Sequence, residues 1–176
     1  IFVGENDAGK STILEIVNLI TTGKINGYFI DRQITANFFN YEVRKNYIEN
    51  IKSGKYAELP EIMIEAYCKN KEDSEFRGTN NTLGEDCPGI AFYYTFNQDN
   101  ADIYKRKLKK GEILDIPLEF YKIEFIGFHG NSITSKYLPF KVATIDASKR
   151  DYNNLLNRFV SENMEQFLSN EDKVML

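Results

Sequence analysis

Apolar residues recur along this chain with two spacings, one helical and one alternating, and the switches between them predict its elements. Across Lys10–Thr22, Ile13, Leu14, Ile16, Val17, Leu19 and Ile20 give a broad apolar face at helical spacing, and Gly23 stands where such a helix ends. That face is expected to pack on a sheet. After a connection containing Gly and Asn, residues 41–53 predict a second helix, polar on one side through Arg44, Lys45 and Glu49, stopped by Gly54 and lying on the surface. Pro60 introduces residues 61–69, where Ile62, Ile64 and Ala66 alternate with mixed positions as in a strand, and the polar residues 70–84 read as a loop. Strand signals return at 90–96 and 118–128, with a short helix over 101–110 closed by Gly111 between them. Gly130-Asn131-Ser132 marks a turn and residues 140–145 another strand. Residues 152–168 then predict a helix with Leu155, Leu156, Phe159, Val160, Met164 and Phe167 on its apolar face, and Ser169 with Asp172 forms a cap for one more.

The strands follow one another without regular crossover helices, so the reading is an α/β chain whose middle is an antiparallel lobe. The one compositional shift comes after Ser148, where strand signals give way to helix. This divides the chain into a core with its β lobe, residues 1–148, and the start of a helical lobe, residues 149–176. A length of 176 residues suits one sizeable core, or one domain carrying part of a second.

The chemistry concentrates ahead of the first helix. Gly4-Glu5-Asn6-Asp7-Ala8-Gly9-Lys10-Ser11-Thr12 fits the pattern G-x-x-x-x-G-K-[S/T], with the apolar Ile1-Phe2-Val3 leading in and an amphipathic helix leading out. Gly4 and Gly9 let the backbone curl until successive N–H groups point inward at phosphate oxygens, aided by the positive end of the helix. Lys10 reaches the β- and γ-phosphates and Ser11 offers its hydroxyl to Mg²⁺. The expected ligand is a nucleoside triphosphate, bound by Gly4, Glu5, Asn6, Asp7, Ala8, Gly9, Lys10, Ser11 and Thr12. Lys10 is the catalytic candidate and Ser11 the metal ligand.

Composition narrows the class without changing this. With 42% apolar and 27% charged residues the chain is neither disordered nor fibrous. A net charge of −4 argues against coating nucleic acid by overall charge, and leaves room for a local basic groove. Cys68 and Cys87 are too far apart for a C-x-x-C motif and lack companions for a zinc site, so reduced thiols without a role are expected. No run approaches the ~20 apolar residues of a membrane span and no leader precedes the first strand, which predicts a cytoplasmic protein with no membrane partner. There is no initiator Met, and three residues are short for a strand, so the chain reads as an internal segment of a longer protein.

Hydrolysis needs an acid at the end of a second apolar strand, and usually a carboxylate or Gln to orient water. Ile62-Met63-Ile64-Glu65 and Val142-Ala143-Thr144-Ile145-Asp146 are imperfect matches that read as ordinary strand edges, which places the hydrolytic half beyond Leu176. Asn70-Lys71-Glu72-Asp73 mimics the guanine-reading N-K-x-D and Asp86-Cys87-Pro88-Gly89 the D-x-x-G switch. They occur in the reverse of the GTPase order, which argues against that class.

The spelling of the loop resembles the G-x-N-x-[A/S]-G-K-S-[T] loop of ABC-type ATPases of the SMC-like and OLD (overcoming lysogenization defect) groups. Tyr137-Leu138-Pro139-Phe140, followed by Ile145-Asp146-Ala147-Ser148-Lys149-Arg150-Asp151, is similar to the OLD-type segment where the sheet lobe hands over to the helical lobe, a strand ending in I-D-A-x-R-D. The resemblance implies an incomplete ABC-ATPase-like P-loop NTPase head that binds ATP and Mg²⁺ and pairs with a second head, sandwiching ATP, with Asn6 on phosphate or the opposing head. It implies a homo-oligomer, and DNA as the nucleic acid of the full-length protein, an ATP-gated nuclease of the kind used in anti-phage defence. Neither the signature motif nor a Toprim carboxylate cluster is present here, and the candidates for the metal-completing Gln in the stretch after the loop, Gln33 and Gln98, are both read as solvated loop residues. A second reading is an ATP-dependent scaffold or sensor that holds a separate effector protein and cuts nothing. A stand-alone small-molecule kinase is the third, weakened by the missing acidic strand.

The remaining features read as structure. Lys105, Arg106, Lys107, Lys109 and Lys110 form a basic run that reads as a solvated helix face rather than a DNA-backbone contact. His129, without His or Cys partners nearby, is read as structural, and Tyr93, Tyr94 and Phe96 as core rather than base-stacking residues.

Overall fold

The computed structural model describes residues 5, 9–54, 57–68, 74–134 and 138. The chain divides into two units, Ile1–Phe140 and Lys141–Leu176, and only the first contains described residues. The boundary expected at Ser148, the strand at 140–145, the helix at 152–168, the Ser169 cap and nearly all of the 137–151 segment therefore lie outside them.

The first unit is a mixed α/β assembly in which every strand pairing among the described residues is antiparallel. Helix α1 (Lys10–Thr22) leads into a small hairpin, β1 (Lys24–Ile25) with β2 (Tyr28–Phe29), then single 3-10 turns at Ile30–Arg32 and Ala36–Phe38. Helix α2 (Tyr41–Lys52) precedes β3 (Ile62–Tyr67), the short β4 (Arg77–Gly78) and the long β5 (Cys87–Phe96). Helix α3 (Ala101–Lys109) follows, then β6 (Tyr121–Gly127) and β7 (Ser132–Ile133). The sheet runs β3-β5-β6-β7, with β4 also paired to β5.

β5 is the centre because both its edges are used: Phe92 lies opposite Ile64 of β3 on one side and Phe125 of β6 on the other. Ile90, Ala91 and Phe92 are fully buried, and the Phe92 and Phe125 rings meet edge-on with centroids 5.2 Å apart. Around them gather Leu19 and Ile20 of α1, Ile25, Ile30, Phe39 and Tyr47. A second cluster joins Phe96, Tyr104, Ile113 and Phe120, and the Tyr47 and Tyr104 hydroxyls meet at 3.1 Å, linking α2 to α3. Gly89 is where Phe128 comes closest: a Cβ there would lie 2.1 Å from the Phe128 ring and 2.6 Å from the Ala66 carbonyl.

The structure departs from the sequence reading at α1. Of its broad apolar face only Leu19 and Ile20 are buried and Ile16 is half-buried, while Ile13, Leu14 and Val17 stay exposed. The helix docks through its C-terminal half, where it meets β1 and then the sheet, so packing covers one end of the stripe and not the other. The hairpin at 24–29 is also additional to the elements expected. Asn26 and Gly27 turn it with φ of 52° and 82°, the two positive values that close a two-residue hairpin. No helix among the described residues is long and apolar enough to cross a membrane.

Candidate functional site: the phosphate-loop end of α1

Gly9 is the residue on which α1 starts. It sits at φ 78°, a left-handed conformation that an L side chain adopts only with strain, and its carbonyl accepts the first helical bond from the Ile13 N–H at 3.1 Å. Lys10, Ser11 and Thr12 therefore occupy the three first-turn positions whose N–H groups have no acceptor within the helix. Gly9 has no side chain with which to cap this end, and no acidic residue lies in the first turn.

The other end of α1 is closed differently. Gly23 donates its N–H to the Leu19 carbonyl at 2.8 Å, and Thr21 and Thr22 donate their hydroxyls to the carbonyls of Val17 and Asn18. Asn18 donates its amide to the Lys24 carbonyl at 2.9 Å, tying the helix end to β1. Polar groups of the chain itself satisfy the C-terminus.

Of the nine motif residues, Glu5, Gly9, Lys10, Ser11 and Thr12 are described, and Gly4, Asn6, Asp7 and Ala8 lie outside the described residues. The Lys10 ammonium folds back across the loop and donates to the Glu5 carbonyl. Ser11 and Thr12 are exposed. The Glu5 carbonyl is a partner that residue types could not announce, because any residue carries it.

The lookalike motifs have structural occupations. Glu65, the acid of the Ile62-Met63-Ile64-Glu65 segment, sits in the middle of β3 and accepts from the Thr82 N–H at 2.9 Å, the Thr82 hydroxyl at 2.5 Å and the Tyr67 hydroxyl at 2.6 Å. Partial burial raises its carboxyl pKa, and the bonds from Thr82 and Tyr67 outweigh that and hold it below the ordinary value. In Asp86-Cys87-Pro88-Gly89, Asp86 pairs with Arg77 at 3.1 Å, and Gly89 is the close approach to Phe128. Residues 70–73 and Asp146 lie outside the described residues. Gln33 follows the turn Ile30–Arg32 and Gln98 opens the turn Gln98–Asn100.

Most of the basic run on α3 is exposed, with Lys107 bridged to Glu119 at 3.3 Å and Lys110 to Glu112 at 3.7 Å. His129 accepts the Asn131 N–H on Nδ1 at 3.2 Å and packs on Phe76. Tyr94 and Phe96 are buried in the core. Cys68 and Cys87 form no disulfide. Among the described residues no three His, Cys, Asp or Glu side chains gather where they could hold a metal ion. No family model, curated protein or solved structure matches the chain.

Proposed function

We propose that the chain is the nucleotide-binding part of an ATPase head, holding ATP with Mg²⁺ at the loop Gly4 to Thr12, and that pairing of two such heads gates a nucleic-acid-processing, OLD-like protein acting on DNA. The observation that supports this most directly is the coincidence of the nine-residue motif with a helix start at a left-handed Gly9. The motif asks for donors and positive charge at one place, and the first turn of α1 has both to offer.

On this reading the N–H groups of Gly9, Lys10, Ser11 and Thr12 donate to phosphate oxygens. Lys10 leaves the Glu5 carbonyl for the β- and γ-phosphates, so its ammonium travels within the loop and is not drawn from bulk solvent. Ser11 suits Mg²⁺ as a lone hydroxyl ligand, because that ion keeps several waters and takes substrate phosphate oxygens beside one or two protein ligands. The absence of a three-acid cluster among the described residues is no obstacle to such a site. Bound there, the ion supplies charge neutralisation across the phosphates.

The test is ATP binding to the full chain and its Lys10→Ala variant by calorimetry. Loss of one charge-assisted contact of about 1.5–3 kcal/mol lowers affinity roughly ten- to a hundredfold. Equal affinity in the two proteins would overturn the assignment.

A further inference from the structure

Among the described residues β3 is the outermost strand of its sheet, and only one of its edges is paired. The Cys68 N–H donates to the Pro88 carbonyl at 2.8 Å, and the register sets Ile62, Ile64 and Ala66 opposite Tyr94, Phe92 and Ile90. Antiparallel ladders alternate, so those three residues bond to β5 while Met63, Glu65 and Tyr67 turn their N–H and C=O groups to the outer side. Those outward groups make no backbone hydrogen bond among the described residues. Edges of this length are usually blunted by Pro, Lys or a bulge, and β3 carries none of these.

Against this edge lies a cleft of about 530 Å³. Thr12, Glu15 and Ile16 of α1 form one wall and Phe38 part of another, and Ile62, Met63 and Ile64 line it together. Leu19, Ile25, Ile30 and Phe92 also line it, so the cleft lies over the face of the sheet that carries Ile62 and Ile64. Met63 is half-exposed, and Phe38 is exposed. The one charged lining residue is Glu15, and Glu61 stands exposed immediately before the strand.

We propose that this edge and cleft are a docking site for an extended segment of a partner polypeptide, alternating apolar with basic residues, which adds to the sheet as a strand beside β3. The hydrogen-bond row selects the occupant's backbone: outward N–H and C=O pairs recur every second residue, about 6.8 Å apart, a spacing that another extended chain matches and a helix does not. The cleft takes the apolar side chains of that segment. Its Lys or Arg residues, on the opposite face, meet Glu61, which no cation pairs among the described residues. The same charges disfavour a second copy of this chain, since joining two β3 edges would bring Glu61 and Glu65 of both copies into one ladder.

The inference stands apart from the nucleotide reading, and its test keeps them apart. Amide hydrogen exchange is followed by NMR on the full chain, alone and with the capped peptide Lys-Val-Lys-Val-Lys-Val. In the free chain the Met63 and Glu65 amides exchange faster than those of Ile62 and Ile64, and saturating peptide slows Met63 and Glu65 about tenfold or more. The same peptide with every amide N-methylated has no effect, and Glu in place of Lys weakens it. Met63→Pro, which removes an outward N–H and is compatible with an edge strand, loses the peptide response while keeping its melting temperature. Lys10→Ala keeps the response.

Three results would overturn the proposal. Slow Met63 and Glu65 exchange in the free chain means the edge is already covered by the chain itself. Protection that rises with protein concentration alone means two copies pair. Equal protection by the N-methylated peptide means the contact is not a strand ladder.

Discussion

In β5 the three consecutive residues Ile90, Ala91 and Phe92 are closed to solvent, whereas in α1 the five consecutive residues 11–15 are exposed although Ile13 and Leu14 are among them. Ile13 and Leu14 are as apolar as the β5 residues, so their own side chains do not explain their exposure. What separates them is whether neighbouring elements reach both sides. β5 has β3 on one edge and β6 on the other, while α1 is buried among its neighbours only through Leu19 and Ile20. Stability is therefore stored in the sheet, and the helix start contributes little to it. A segment of this kind is where donors stay available for a ligand.

The largest expected effect tests the sheet side. Phe92→Ala removes the ring that meets Phe125 and should cost about 3–5 kcal/mol in urea unfolding. A cost similar to that of a surface substitution would break the comparison. Two glycines sharpen it. Gly89→Ala forces a Cβ onto Phe128 and the Ala66 carbonyl and should cost about 1–3 kcal/mol with no change in ligand binding. Gly9→Ala meets nothing within 4 Å, so its cost of about 1–2 kcal/mol comes from the left-handed backbone alone, and it should weaken ATP binding besides.

Next come the polar ties between elements. Tyr47→Phe leaves the Tyr104 hydroxyl without its partner and should cost about 1 kcal/mol in the same unfolding series. Burial first, then that hydrogen bond, raises the Tyr47 pKa above the ordinary tyrosine value, and burial pushes Tyr94 up to about 12. Stability from these groups is present below pH ~10 and is lost as pH rises toward the folded-state values. Spectrophotometric titration should find Tyr47 and Tyr94 ionising above the ordinary tyrosine value.

The smallest effect is the acid limb. Asp115 accepts from Arg44 Nε at 2.9 Å, and that bond, partly opposed by burial, holds its carboxyl below the ordinary value. Its contribution is present above the unfolded value near 3.9 and drains as pH falls through it toward the lower folded one. The melting temperatures of wild type and Asp115→Asn should differ at neutral pH and converge in acid. A gap that persists in acid would assign the effect to shape rather than charge.

Much of this was legible in the sequence. Helical spacing placed α1, α2 and α3, and alternation placed β3, β5 and β6, each within a few residues. The Asn26-Gly27 pair is a strong hairpin signal, but the strands it joins are two residues each, too short for alternation to register. The exposure of Ile13, Leu14 and Val17 was not legible, because an apolar stripe reports what a helix can bury and not what lies beside it. At the site, the motif gave the residue types, and the contact between Lys10 and the Glu5 carbonyl came only with the backbone.

The account's central claim is that the start of α1 serves a nucleotide and not the fold. The direct measurement is the thermal unfolding of the full chain and Lys10→Ala, each with and without ATP and Mg²⁺. The account predicts nearly equal melting temperatures without ligand, and a rise with ligand in wild type alone, corresponding to about 2.7 kcal/mol at a hundredfold excess over Kd. An equal rise in both proteins, or none in wild type, would contradict it.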